Sequence, residues 1–315
     1  MPGPTAATNP LAIFDRDALH RHRARAARRD ADSGFLFREG AERLLDRLAD
    51  IKRVFARALD LDSRDPLIAE RLRAAGIDTV VAGEAGPLTV DLEALPFAPA
   101  SFDLVTSSLA FHWINDLPGT LLQLRHILKP DGLLLVNLFA GETLEALRVA
   151  LLEAESEIEN GASPRISPFA DPRDLAGLLQ RAGFALPVVD SDRVTVDYPD
   201  AWKLMRDLRA MGETNATALR HRHFSRRSTM LRAAELYRAR LGDEEGRIPA
   251  EFEIATYGSD RCFIVAERET RVQLYCPGRR ETTVVVEARD KRLVRLGTKQ
   301  NVFSAVANGR PAGGS

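Results

Sequence analysis

Val90-Asp91-Leu92-Glu93-Ala94-Leu95-Pro96-Phe97-Ala98-Pro99-Ala100-Ser101-Phe102-Asp103-Leu104-Val105 is the stretch on which the fold of this 315-residue chain turns. An acid-bearing loop passes through a Leu-Pro-Phe turn into an apolar run, and residues 101–109 read as one buried strand. Upstream, Thr79-Val80-Val81-Ala82 forms another strand that stops at Gly83-Glu84. Before it lie a helix over 66–75, with Pro66 in its first turn, and a strand over 54–61 that ends near an acid. Downstream, a helix over 117–128 leads through Lys129-Pro130-Asp131-Gly132 into a strong strand at 133–138. Strands separated by helices require right-handed crossovers and a parallel sheet covered on both faces. The fold class is therefore α/β, doubly wound and mostly parallel.

Residues 15–30 read as an arginine-rich helix with little apolar face: a solvated arm, or a contact for an acidic partner. Ser33 is placed to cap a helix over 34–51. Further helices are expected at 142–156, 171–182, 199–211 and 228–241, the last capped by Ser228, with strands at 188–196 and 252–256. A strand at 282–286 and a disordered small-residue end complete the chain. This gives a basic arm (1–33), a main domain (34–257) with a helical insert over about 140–242, and a divergent tail (258–315).

The composition is 45% apolar and 28% charged with a formal net charge of −1, which gives no support for nucleic-acid binding. No apolar run approaches the roughly eighteen residues needed to span a bilayer. Two cysteines, Cys262 and Cys276, are too few for a disulfide framework or a four-ligand metal site, so a reducing, cytoplasmic setting is the default. The pairs His20/His22 and His221/His223 sit among arginines, whose charge opposes metal binding, and read as basic faces.

In such a sheet ligands bind beyond the carboxyl ends of the strands. Four places matter: Asp60 with the loop Asp62-Ser63-Arg64-Asp65-Pro66, Glu84, Asp91-Leu92, and Ser107-Ser108-Leu109-Ala110-Phe111-His112-Trp113. His112 is of a type that can act as a base at neutral pH. The order D-x-E-x-L-P-F…F-D-L-V, seen at 91–105, resembles the signature of class I S-adenosylmethionine methyltransferases, a Rossmann-like fold.

Five further segments narrow the resemblance: Ile13 to Asp17, Ser107 to Pro118, Phe139 to Leu144, Pro164 to Phe169 and Met205 to Asn215. They look like the mitochondrial complex I assembly factor 5 family and its bacterial relatives and, more distantly, the malonyl-carrier-protein methyltransferases, over residues 11 to 257. The resemblance implies S-adenosylmethionine as cofactor, with contacts from Asp60, Asp62, Glu84 (ribose), Asp91 (adenine), Leu92 and Ser107, and His112 as base. It implies methyl transfer to an unidentified acceptor, or an assembly role in NADH dehydrogenase maturation with weak cofactor affinity, or arginine hydroxylation. Gly141 to Thr143 and Gly212 to Asn215 are candidates for the substrate side.

Two departures stand out. The three glycine positions of the family's cofactor turn are Asp62, Arg64 and Pro66, each adding bulk. Asp62 and Asp65 would place negative charge near the cofactor's carboxylate, with Arg64 as the compensating cation. The second departure is the tail, which ceases to resemble the family past Gly258.

Overall fold

The computed structural model describes residues 12–27, 34–84, 86–221 and 223–260, and the backbone of four strands between 263 and 295. Helices α1 (Arg16–Ala26) and α2 (Phe35–Ala49) precede β1 (Arg57–Leu61), α3 (Leu67–Ala74), β2 (Asp78–Gly83) and a short edge strand, β3 (Leu88–Thr89). Next come β4 (Phe102–Ser108), α4 (Leu117–Ile127), β5 (Leu128–Phe139), α5 (Glu145–Glu159), α6 (Pro172–Arg181) and β6 (Ala185–Tyr198). Helices α7 (Ala201–Met211) and α8 (Arg227–Leu241) lead to β7 (Ile248–Asp260). In the tail β8 (Phe263–Arg268), β9 (Arg271–Tyr275), β10 (Val284–Arg289) and β11 (Arg292–Arg295) form an antiparallel sheet of their own.

The main sheet runs β3-β2-β1-β4-β5-β7-β6. The pairs from β3 through β5 are parallel, and β7 runs antiparallel to both neighbours. The expected doubly wound, mostly parallel sheet is thus present, with one reversed strand. The chain steps outward from β1 to β3 and then returns to β4 on the other side of β1. That reversal opens a crevice over the strand tips.

Alternation along β5 serves both faces. Leu134, Val136 and Leu138 join one core with Phe102, Leu124 and Leu179, while Leu133 and Leu135 join another with Leu44, Ile68 and Leu104. Asp103 is a brace: its carboxylate accepts the N–H groups of Ala56 and Arg57 and pairs with Lys129.

Several local expectations shift. Val54 is fully exposed and β1 begins only at Arg57, because Asp103 captures the preceding backbone. Lys129-Pro130-Asp131-Gly132 is not a turn outside the strand but its irregular start, with a register shift against β4. Ser228 lies inside the first turn of α8 rather than capping it. Ser33, Cys262, Cys276 and the last twenty residues lie outside the described residues.

The largest revision concerns the arginine-rich segment, which is not a solvated arm. Asp15 caps α1 by accepting the Ala18 N–H, and Ala18, Leu19 and Arg23 are buried. Phe14 and Leu19 share a small core with Trp113 and Ala216. Asn115 secures Phe14 by hydrogen bonds in both directions, and the Asp15 N–H donates to the Ala216 carbonyl. This brings α1 down over the strand tips.

Candidate active site

The crevice over β1 and β2 has a volume of about 550 Å³, with Asp62, Ser63, Arg64, Gly83 and Glu84 below and α1 above. Asp62 holds φ at 56°, the left-handed conformation glycine usually supplies and aspartate tolerates better than most residues. Glycine is needed across the gap instead. A Cβ on Gly83 would lie 2.9 Å from the Asp62 Cα and run into its carboxylate.

Three bonds fix Asp62. Its N–H donates to the Ala82 carbonyl, its Oδ1 accepts the Glu84 N–H at 3.0 Å, and its Oδ2 accepts Arg23 Nη1 at 2.8 Å. The same Arg23 nitrogen reaches Glu84 Oε2 at 3.2 Å.

Two turns back along α1, Arg16 donates to both oxygens of Asp91, at 2.8 and 3.1 Å, and to Glu84 Oε1 at 3.2 Å. Two carboxylates from separate strand ends therefore converge within reach of one guanidinium. The Arg16 hydrogen bond is the main reason the Asp91 carboxyl is held below its usual range.

Three expected cofactor contacts fall elsewhere. Asp60 is buried beneath the crevice, where it accepts from Ser63 Oγ at 2.5 Å and Thr106 Oγ1 at 3.1 Å, and burial raises its pKa to about 6. It braces the turn from below, with two hydroxyls as its donors among the described residues. Ser107 is fully buried inside β4 and does not line the crevice. Leu92 is buried in the main core and touches the ligand side only through a small gap beside Arg16 and Glu84.

Deeper in, His112 and Trp113 occupy a 3₁₀ turn after β4. Both point at Glu213, just past α7: His112 Nε2 lies 3.0 Å and Trp113 Nε1 2.9 Å from Glu213 Oε2. Arg64 reaches the other oxygen at 3.4 Å, donates to the Met211 carbonyl and stacks 4.7 Å over Phe37. Burial alone would raise the Glu213 carboxyl, but His112, Arg64 and Arg23 outweigh it and hold the group ionised. Burial likewise lowers the His112 pKa, against the pull of Glu213. A neutral imidazole donating Nε2–H to an ionised Glu213 satisfies both, and leaves Nδ1 buried without a partner among the described residues.

His112 packs behind Phe139 and Phe169, walls of a chamber of about 260 Å³ between β5, β7, α5, α7 and α8 that His112 itself does not line. Its lining is mostly apolar (Leu147, Met205 and Phe252 among others), with Glu213, Thr214 and Ser167 at one pole. The hydroxyls of Ser167 and Thr214 are buried and lack partners among the described residues. All five family-specific segments meet here. Phe14 packs edge-on against Trp113, Asn215 donates to the Pro164 carbonyl, and residues from 139–144, 164–169 and 205–215 line the chamber. Glu213 was legible only as part of a substrate-side segment; its partnership with His112 spans 101 positions and carries no local signal.

For S-adenosylmethionine the residues fit at the nucleoside end, where Glu84 and Asp91 form a convergent acceptor pair. The other end lacks the glycine turn's open backbone: the N–H groups of Asp62 and Arg64 are spent on the carbonyls of Ala82 and Ser108. Arg23 lines the crevice, and its Nε and Nη2 are buried without partners among the described residues.

Comparison with known proteins bears on the family of the chain. Residues 40–136 match the family described as a methyltransferase domain. The chain is 41% identical over 270 residues to the arginine-hydroxylase NDUFAF5, mitochondrial, of Homo sapiens, covering 80% of this chain and 78% of that one. It is 32% identical over 271 residues to the malonyl-[acyl-carrier protein] O-methyltransferase of Gallionella capsiferriformans, covering 78% and 90%. A similar enzyme of Halorhodospira halophila is 33% identical over 264 residues, covering 78% and 87%. S-adenosylmethionine is the cofactor of this methyltransferase class, and the chain belongs to the methyltransferase-fold family that includes the mitochondrial arginine-hydroxylase NDUFAF5.

Proposed function

We propose that this chain is a methyltransferase-like assembly factor for NADH dehydrogenase, acting in a reducing compartment, whose crevice takes the adenosine half of S-adenosylmethionine. The observation that carries the reading is Arg16, which bonds Glu84 and Asp91 at once and so measures their convergence. Glu84 would accept the ribose hydroxyls and Asp91 the adenine amino group, with Leu92 beside the base. When bound, the cofactor supplies an electrophilic methyl group.

The rest of the work belongs to the chain. The apolar walls of the chamber exclude water, Glu213 fixes the His112 ring through Nε2, and Nδ1 remains the atom able to accept a proton from an acceptor group. Arg16 must leave Asp91 for a nucleoside to enter. With side chains 36% and 44% exposed, that pair opens at a cost of about 1 kcal/mol or less.

A second reading, assembly without efficient turnover, draws on Arg23, which already has two carboxylates of its own. Calorimetry with 5′-methylthioadenosine tests the nucleoside site common to both readings. Binding that weakens at least tenfold in Asp91→Ala supports it, and no heat with millimolar ligand ends it.

A further inference from the structure

We infer that the crevice selects adenine nucleosides without a carboxylate, because Asp62 already supplies that charge to Arg23. This rests on the nucleoside reading above and adds a specificity to it.

The charges at the β1 end of the crevice can be counted. Arg23, only 8% exposed, faces the carboxylates of Asp62 and Glu84, each 7% exposed. Arg64 also lines the space, but it is committed to Glu213, the Met211 carbonyl and the Phe37 ring. Counted together, Arg16, Arg23 and Arg64 stand against Asp62, Glu84, Asp91 and Glu213, three guanidiniums against four carboxylates, with the His20 ring 3.7 Å from Glu84. A ligand carboxylate entering here would be a third anion beside Arg23, a cation already matched, in a site poorly screened by water.

Asp62 cannot swing aside to make room. Its backbone N–H, Oδ1 and Oδ2 are all bonded, and Gly83 packs against it. Arg23 Nε and Nη2 still need acceptors, and neutral ones serve: a hydroxyl, a ring nitrogen or a carbonyl. A glycine in place of Asp62 would leave Arg23 paired with Glu84 alone among the described residues and make room for a second anion. The substitution at the first glycine position thus converts a crevice able to hold an amino-acid tail into one that has internalised its carboxylate. The ligand class is a 5′-substituted adenosine that is neutral or cationic.

The test compares three ligands by calorimetry on the full chain: S-adenosylhomocysteine, its decarboxylated analogue with an aminopropyl tail, and 5′-methylthioadenosine. The decarboxylated analogue should bind about tenfold or more tightly than S-adenosylhomocysteine. Asp62→Asn keeps the side chain's size and its tolerance of the left-handed backbone while removing the charge. It should bring the two ligands to within about threefold of each other, with an unchanged circular-dichroism spectrum showing that the fold is intact. Equal or tighter binding of S-adenosylhomocysteine to the unmodified chain would overturn the inference. So would a preference that persists in Asp62→Asn. Binding of 5′-methylthioadenosine alone would mean that tail volume decides rather than charge, and would also overturn it. If none of the three binds, the nucleoside site itself is wrong.

Discussion

The crevice over β1 and the chamber beside His112 lie on either side of Arg64 and Glu213, yet they treat buried polar groups in opposite ways. In the crevice Asp62 and Glu84, and on its rim Asp91, each meet an arginine of α1. In the chamber the hydroxyls of Ser167 and Thr214 meet none among the described residues. The difference follows from what each group costs out of water. An unpaired buried carboxylate costs far more than an unpaired hydroxyl, so without a ligand the chain must pair its charges internally but can leave hydroxyls waiting. A pocket of charges is thereby closed by its own counter-ions, and an apolar pocket with hydroxyls stays ready for a guest.

Four substitutions would break or sharpen this contrast. The largest effect belongs to Glu213, which joins the two regions. Glu213→Leu strands the Arg64 guanidinium and the Trp113 N–H, and should lower unfolding stability by about 3–5 kcal/mol, read from the urea midpoint. A loss under about 1 kcal/mol would mean that Arg64 finds another partner and the regions are independent.

Asp60 tests the charged side through pH. Its folded-state pKa of about 6 lies above the ordinary 3.8, so folding favours the protonated form. The stabilisation is complete below about pH 4 and is lost as pH rises through about 6, a change of about 3 kcal/mol. Asp60→Asn should flatten thermal stability across that window and exceed the unmodified chain at pH 7. An unaltered pH profile would place the titration elsewhere.

Arg16→Ala should cost only about 1 kcal/mol in stability, because Asp91 is well solvated and the buried Glu84 keeps Arg23 as a partner. It should also raise affinity for 5′-methylthioadenosine, since the nucleoside no longer displaces a guanidinium. Weaker binding in this variant would show that Arg16 holds the ligand rather than excluding it.

The smallest change is expected in the chamber. Ser167→Ala removes a hydroxyl that bonds nothing among the described residues, so the urea midpoint should stay within about 0.5 kcal/mol or rise slightly. A loss of more than about 1 kcal/mol would reveal a structural bond and erase the contrast between the two pockets.

Much of the sheet was legible because its signals are local. The run at 101–109 is apolar, the acids Glu84 and Asp91 follow short strands, and helix boundaries such as 117–128 and 199–211 fall within a residue or two of α4 and α7. Legibility failed where a role depends on what another segment brings. Asp60 and Asp62 are two positions apart and both looked like cofactor contacts. One faces Ser63 and Thr106 from below, and the other faces Arg23 from above. Ser107 and Ser108 differ in the same way: Ser108 bonds Asn137 and Ser63, whereas the Ser107 hydroxyl is simply enclosed. The arginine-rich helix reads as a solvated arm or a contact for an acidic partner, and in the fold the acids it meets are the chain's own strand tips.

What the sequence determined by itself was the order of the helices and of the main-sheet strands other than β3, with the acids at their ends, since these follow from periodicity and from where apolar runs stop. The tertiary structure alone decided which cation meets which acid. Arg16 and Asp91 stand 75 positions apart, and Arg23 and Asp62 stand 39 apart. Such pairings are fixed by the packing of α1 on Trp113 and Ala216, and a carboxylate's chemistry is set by the charge beside it, which no local pattern records.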